Sequence, residues 1–444
     1  MRRVYDSIMS FASFRFESPL RAQHEVFAQG ESARRALAAT NRSDINTPSH
    51  VAHLQWIPWG NTAEIVGCFD RVELEYAAVR KSVALCDLPQ RGTIEVAGTD
   101  RIAFLQRMLT QDVRGLAADQ VRRAFWLNRK GRIEADLLLC ELGDRLLIDC
   151  SGSVVAQTAA ALRGFVFSEE VTIADVSDRE YRIALHGPQA LHLLSLVGAS
   201  AQTIELLEKS AATGACAADA LAGSACVLIR HDSCGEVGIE IIVARNQVAT
   251  IWSALVGAHD LLDAGRRRAR PCGWHAFNIA RIEAGTPLFE VDFSTSSLPH
   301  ETSVLAQCVS FTKGCYLGQE VVARMASLGK PKQVVCAFRM DHSLLPIEGT
   351  PVFSAVQAAA VGEAAAVGEE VGVVTSSTLS PLLGAAAIGF ATVKTAHAKA
   401  DGSLWILAEG KHEPARVQRE LAFVKLATLT EVAHPEAAHP EAAE

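Results

Sequence analysis

The sequence predicts an α+β protein that ends in an all-β unit, and three observations carry that prediction. Over residues 64–287, segments with apolar residues at helical spacing alternate with strand-like segments, the mixture expected of α+β layers. After Pro331 the helical spacing stops. Q-V-V-C-A-F-R-M, G-T-P-V-F, V-G-V-V-T-S-S-T-L-S-P and A-A-I-G-F-A-T-V read as short strands divided by Gly, Pro and Ser turns, the pattern of a barrel. Finally, 444 residues accommodate about three domains, and 49% apolar against 21% charged residues is ample for buried cores.

Composition narrows the function classes. A net charge of −8 argues against a general nucleic-acid coat, because such binding rests on neutralising phosphates. Eleven cysteines without C-x-x-C spacing read as reduced thiols, so the expected location is cytoplasmic. No stretch reaches the ~18 uninterrupted apolar residues of a membrane helix.

Taken in order, residues 1–50 are rich in Arg, Ser and Ala and lack an apolar signal-peptide core. Asp6, Glu17, Glu25 and Glu31 count against an organelle transit peptide, so a mobile extension with one amphipathic helix is expected. Residues 72–84 have helical spacing, and T-I-E-V-A-G (93–98) is a strand running into a glycine turn. Asp100 then suits the N-cap of a helix over 101–109. W-L-N-R-K-G-R-I-E-A-D-L (126–137) is a turn followed by a strand, on which Glu134 and Asp136 share one face and Ala135 takes the other.

Residues 145–151 read as a buried strand and 154–165 as a helix. Residues 181–194 give a strand, a Gly187-Pro188 turn and a helix start, with His186 as a packed strand residue. Two strands around a turn follow at 226–243. A metal reading of Cys226, His231 and Cys234 there has neither zinc spacing nor a fourth ligand. G-W-H-A-F-N-I-A-R-I-E-A-G-T-P (273–287) is a helix stopped by Gly285 and Pro287. On it, Arg281 and Glu283 point about 200° apart, so both cannot line one site and one ties down a neighbouring domain. A polar loop (288–302) follows, whose glutamate and histidine are minor ligand candidates.

The most distinctive stretch is F-T-K-G-C-Y-L-G-Q-E-V-V-A-R (311–324). Gly314 and Gly318 permit a sharp turn that presents Cys315. Lys313, two residues upstream, is positioned to favour the thiolate. Gln319 and Glu320 supply directional hydrogen bonding. A strand-to-helix turn with an inert, semi-buried cysteine is the alternative.

K-G-C-Y-L-G-Q-E resembles the signature of the YgfZ family, folate-binding proteins related to the glycine-cleavage T-protein, an aminomethyltransferase. The resemblance extends over residues 64–428 through the segments at 78–113 and 126–137, L-x-G-P-x-A near 185–190, the 226–243 hairpin, R-x-E-A-G at 281–285 and G-V-V-T-S in the last unit. It implies two α+β domains (51–330) plus a C-terminal β-barrel (331–430), arranged as a ring around a central folate channel, with a disordered tail at 431–444. Tetrahydrofolate is the implied cofactor. Glu240, with Glu236 as second choice, would hold the pterin; Arg281 would reach the ligand's glutamate tail; Tyr316, Gln319 and Glu320 complete the implied binding set. Cys315, helped by Lys313, would be the functional thiol, and Asp136 the remaining acid on its strand. The aminomethyl-transferring relatives carry two adjacent aspartates where this chain has Ala135 and Asp136, which counts against that chemistry.

Three functions follow. The first is a YgfZ-like protein supporting iron–sulfur enzymes, with a link to tRNA modification and iron–sulfur proteins as partners. The others are aminomethyl transfer to tetrahydrofolate and a folate-binding module without catalysis.

Overall fold

The computed structural model describes residues 16–40, 54–210, 214–258, 269–355 and 367–424. β1 (Gln55–Trp59) and β2 (Ala63–Cys68) form an antiparallel ribbon. Next come β3 (Val83–Asp87), β4 (Arg91–Ala97), β5 (Gln120–Leu127), β6 (Ile133–Glu141), β7 (Arg145–Ser151) and β8 (Thr172–Asp175). Then follow β9 (Glu180–His186), β10 (Cys216–Leu221), β11 (Ser224–Arg230), β12 (Gly238–Ala244) and β13 (Ala269–Pro271). One sheet runs β5-β6-β7-β4-β8 and the other β10-β11-β12-β9-β3-β13. The chain thus leaves the second sheet at β3 to enter the first at β4, and the two are laid down interleaved.

Strand alternation decides what each sheet face carries. On β6, Ala135, Leu137 and Leu139 enter an apolar core with Ile94, Phe104 and Trp126. On β9 and β12, Ile183, Leu185, Ile239 and Ile241 do the same against the helices Ala190–Val197 and Val248–Gly257. The opposite faces carry Asp136, Asp149, His186 and Glu240.

The helix expected over 72–84 ends at Lys81, because Val83 and Ala84 begin β3, wholly buried and paired to β9. Asp100 stands at its N-cap position without capping the helix. Its carboxylate instead accepts the Glu170 N–H at 2.9 Å. Of the extension expected over 1–50, residues 16–40 are described; they include the expected helix, and its start is fixed to the rest of the protein. The helix Arg21–Thr40 docks through His24 and Ala28, with Leu20 just before it, all three buried. His24 Nε2 lies 2.7 Å from Asp87 Oδ2, and Ser18 and Tyr181 donate to the same carboxylate. A buried carboxylate with three partners fixes this segment in place. The duplicated A-A-A-V-G-E is described only from residue 367 onward, and the proposed tail at 431–444 lies outside the described residues.

The C-terminal unit is a closed barrel of β14 (Gln333–Arg339), β15 (Pro351–Ala355), β16 (Val367–Ser380), β17 (Ala386–Lys394), β18 (Ser403–Ala408) and β19 (Lys411–Val417), in the order β14-β17-β16-β15-β18-β19. Phe338, Val352, Leu404 and Ile406 fill it. The helix Trp274–Glu283 joins barrel and sheets. Arg281, fully buried, pairs with Asp292 at 2.6 Å, and Asp292 also accepts from Thr375 (2.9 Å) and Ser376 (2.6 Å) of β16. Glu283 accepts from Tyr76 (2.6 Å) and Arg80 (2.7 Å) on one side and from Ser380 of the barrel on the other. Both residues of R-x-E-A-G are therefore domain ties. Gly285 adopts φ +80°, and a Cβ there would lie 2.4 Å from the Ala422 nitrogen, so only glycine lets the last described segment pass.

Candidate functional site

A cavity of about 1180 Å³, its open mouth included, lies between the polar faces of the two sheets, the loop after the helix Trp274–Glu283, and β1–β2. Its two sides differ. One is a run of rings: His186 and Phe277 have centroids 5.4 Å apart, Phe277 and Trp274 5.8 Å, and Trp274 and Trp59 4.8 Å, and all four line the cavity. The other is charged. Asp136 is gripped by Arg123 through two hydrogen bonds (2.9 and 2.5 Å). Asp149 pairs with Arg91 and Arg182, and Arg182 also pairs with Glu240. His231 Nδ1 lies 2.6 Å from the other Glu240 oxygen.

Electrostatics follow from these pairings. Burial alone would raise the Glu240 pKa, but Arg182 and His231 outweigh it and hold the carboxyl well below the usual range. Burial pushes His186 down to about 4, so its ring is neutral at pH 7. Its Nδ1 has no partner among the described residues. Each oxygen of Glu240 keeps a further lone pair. A flat ligand with N–H groups along one edge can therefore stack on the rings and donate to this carboxylate.

The residues singled out by sequence divide into two groups. Asp136 and Glu240 line the cavity. Asp136 is thus an acid paired with Arg123 that also faces the cavity. It is the cavity-facing member of its strand, whereas a carboxylate at Ala135 would sit in the apolar core. Glu134, expected on the face of Asp136, lines a separate pocket with Trp126 and Leu317 and accepts from Asn128 at 2.6 Å. Glu236 lies outside the lining and 3.5 Å from Arg80, with its pKa raised by burial. Arg281 is sealed in the barrel joint and cannot reach a ligand tail.

Cys315, Lys313, Tyr316, Gln319 and Glu320 lie outside the cavity lining as well. Cys315 is exposed. Lys313 is buried and turned inward, donating to the Leu109 (2.5 Å) and Gln111 (2.9 Å) carbonyls, and burial lowers its pKa to about 8. Its ammonium is thus a tie to the backbone rather than a neighbour fixed on the thiol. Tyr316 packs with Phe125, Leu127 and Ile282, and burial pushes its phenol up to about 12. Gln319 and Glu320 open the helix Gln319–Leu328, with Glu320 exposed. Gly318 holds φ +81° against the β5–β6 turn, where a Cβ would lie 2.6 Å from the Asn128 carbonyl oxygen.

Sequence reading missed the ring wall and the Arg91–Asp149–Arg182 network. The available signal was a charge inside an otherwise apolar strand: Asp149 in R-L-L-I-D-C-S and Arg182 in Y-R-I-A-L-H. Cys226, His231 and Cys234 diverge, into one core, onto Glu240 and into another core.

Comparison with known proteins agrees with this architecture. The GCVT N-terminal domain matches residues 51–313, more than half of the chain, and the glycine cleavage T-protein C-terminal barrel domain matches 333–425. The chain belongs to the T-protein family. Among its relatives are the aminomethyltransferases of Geobacillus sp. (strain WCH70), 27% identical over 79% of this chain and 89% of the relative, and of Symbiobacterium thermophilum, 28% identical over 85% and 96%. The crystal structure of glycine cleavage system aminomethyltransferase T from Bartonella henselae superposes with a TM-score of 0.71. At 20% identity it covers 84% of this chain and 95% of its own, and so shares the T-protein fold. No helix of the described residues is long and apolar enough to cross a membrane.

Proposed function

We propose that this T-protein family member binds a reduced folate in the cavity and is YgfZ-like, with Cys315 as its working thiol in support of iron–sulfur enzymes. The observation that carries the folate reading is the pairing of a four-ring wall with Glu240. A pterin is flat and presents N–H donors on one edge, which suits both sides. Glu240, His231 and the rings would hold the heterocycle. A reduced folate, when bound, supplies nitrogens that carry a one-carbon unit. The K-G-C-Y-L-G-Q-E signature and the exposure of Cys315 support the thiol assignment.

A second reading, aminomethyl transfer to tetrahydrofolate, is favoured by the cavity-facing Asp136. In this reading the protein positions reactants and stabilises developing charge, and Asp136 with Arg123 is the acid at hand.

Trp59 and Trp274 serve as reporters. Titration with 5-formyltetrahydrofolate is expected to quench their fluorescence saturably, and Glu240→Gln is expected to weaken binding tenfold or more, about 1.4 kcal/mol. Unchanged affinity would show that another acid holds the ligand. For the thiol, Cys315→Ala is compared with wild type for rescue of an iron–sulfur enzyme in cells lacking the protein; equal rescue removes Cys315 from the function. Methylenetetrahydrofolate formed from a methylamine-loaded lipoyl carrier would promote the second reading.

A further inference from the structure

We infer that a second pocket, separate from the cavity between the sheets, is a nucleotide site that takes a guanine base inside and its phosphate at the mouth. The pocket encloses about 570 Å³, mouth included, and shares no lining residue with the larger cavity. Small-molecule sites span roughly 300–1,000 Å³. Three pieces bound this one: a face of the helix Val155–Arg163, the β5–β6 turn, and Leu317 of the signature turn. The site is independent of the folate reading.

Two separate features ask for a ligand there. One is unmatched polarity in a buried wall. Thr158 lines the pocket and is only 2% exposed, yet its hydroxyl has no hydrogen-bond partner among the described residues. The Trp126 indole N–H, on a side chain equally sheltered, has none either. Buried donors of this kind are normally satisfied. Beside them, Glu134 accepts from Asn128 through one carboxylate oxygen and keeps the other free among the described residues. The rings of Trp126 and Phe165 meet edge to face, 5.8 Å between centroids. A ligand that suits this wall is flat, accepts from Trp126 and Thr158, and donates to Glu134. Guanine does all three: O6 and N7 accept, while N1–H and N2–H point side by side at a carboxylate.

The other feature is unpaired positive charge at the mouth. Arg129 lines the pocket and Lys130 follows it on the same turn. Both are exposed, and neither has an ion pair among the described residues. Their turn is held in shape, because Asn128 Oδ1 accepts from the Lys130 and Arg132 N–H groups at 2.9 and 3.1 Å. A phosphate attached to the base supplies the missing anion.

The test is isothermal titration calorimetry of the full-length protein with guanosine monophosphate, with and without saturating 5-formyltetrahydrofolate. One site is expected, at an affinity the folate does not change. Arg129→Gln, on an exposed side chain, is expected to weaken guanosine monophosphate about fivefold and to leave guanosine, which has no phosphate, within about twofold. Thr158→Val, close in volume, is expected to weaken both ligands about threefold. Circular dichroism confirms that each variant folds. No binding, binding that the folate displaces, or an affinity unchanged in both variants overturns the inference. A guanine-ended trinucleotide separates the two sources of this chemistry. Tighter binding than the mononucleotide, weakened in Thr158→Val, supports the site and assigns it to a nucleic-acid chain; weaker binding supports it as a site for the free nucleotide.

Discussion

Two clusters of buried charge lie within one helix of each other and do different work. At the barrel joint, Arg281, Asp292, Glu283 and Arg80 meet with every carboxylate matched to donors on both sides, and Arg281, Asp292 and Glu283 are buried and outside the cavity lining. In the cavity, Arg182, Asp149, Glu240 and Arg91 form an equally dense network, but one side opens onto a ring-lined void. The chemistry of the side chains is nearly the same in both. What separates a structural tie from a ligand site is whether lone pairs are left facing open space. Arg281 and Glu240 were both ligand candidates by sequence, and the void distinguishes them.

The sharpest way to break this contrast is Arg281→Ala. It leaves Asp292 buried without its cation, and a loss of about 3–5 kcal/mol in unfolding free energy is expected by urea titration. Folate affinity of the remaining folded protein is expected to stay within a factor of two. A binding defect larger than the stability defect would mean that the joint is part of the site.

The next effect is pH dependence. His186 titrates at about 4 in the folded protein against about 6.5 unfolded. A depressed folded pKa gives stability that is complete above the unfolded value and is lost as pH falls toward the folded one. Between pH 6.5 and 4, wild type is therefore expected to lose up to about 3 kcal/mol more than His186→Gln. Parallel pH profiles for the two proteins would show that the imidazole is hydrated and outside the cavity's dry wall.

The smallest expected effect sharpens the comparison from outside. Cys315→Ser changes an exposed side chain away from both clusters. Stability within about 0.5 kcal/mol of wild type and unchanged folate affinity are expected. A changed folate affinity would bring the signature turn into the cavity after all.

Much of the architecture was legible because it rests on local periodicity. The switch to short strands after Pro331 marks the barrel, and alternation along 133–139 separates Ala135 from Asp136. The site was harder to read, because its wall is assembled from His186, Phe277, Trp274 and Trp59, which belong to three elements and mean nothing singly in sequence. The eight-residue signature misdirected in a specific way. Contiguity suggested that Lys313, Tyr316, Gln319 and Glu320 act on one ligand together, yet the turn at Gly318 sends Lys313 and Tyr316 inward and leaves Cys315 outside. Side-chain direction in a turn depends on dihedrals that spacing does not encode.

The docked N-terminal helix bears on how this protein is prepared at the bench. The family match begins at residue 51, an inviting place to trim. Cutting there would strip Ser18 and His24 from Asp87, a cavity carboxylate, and leave Tyr181 as its sole remaining bond from that trio. The gap vacated by His24 opens against Trp56, Phe69 and Trp252, so a shortened protein would carry a wetted hole among these rings, beside Asp87.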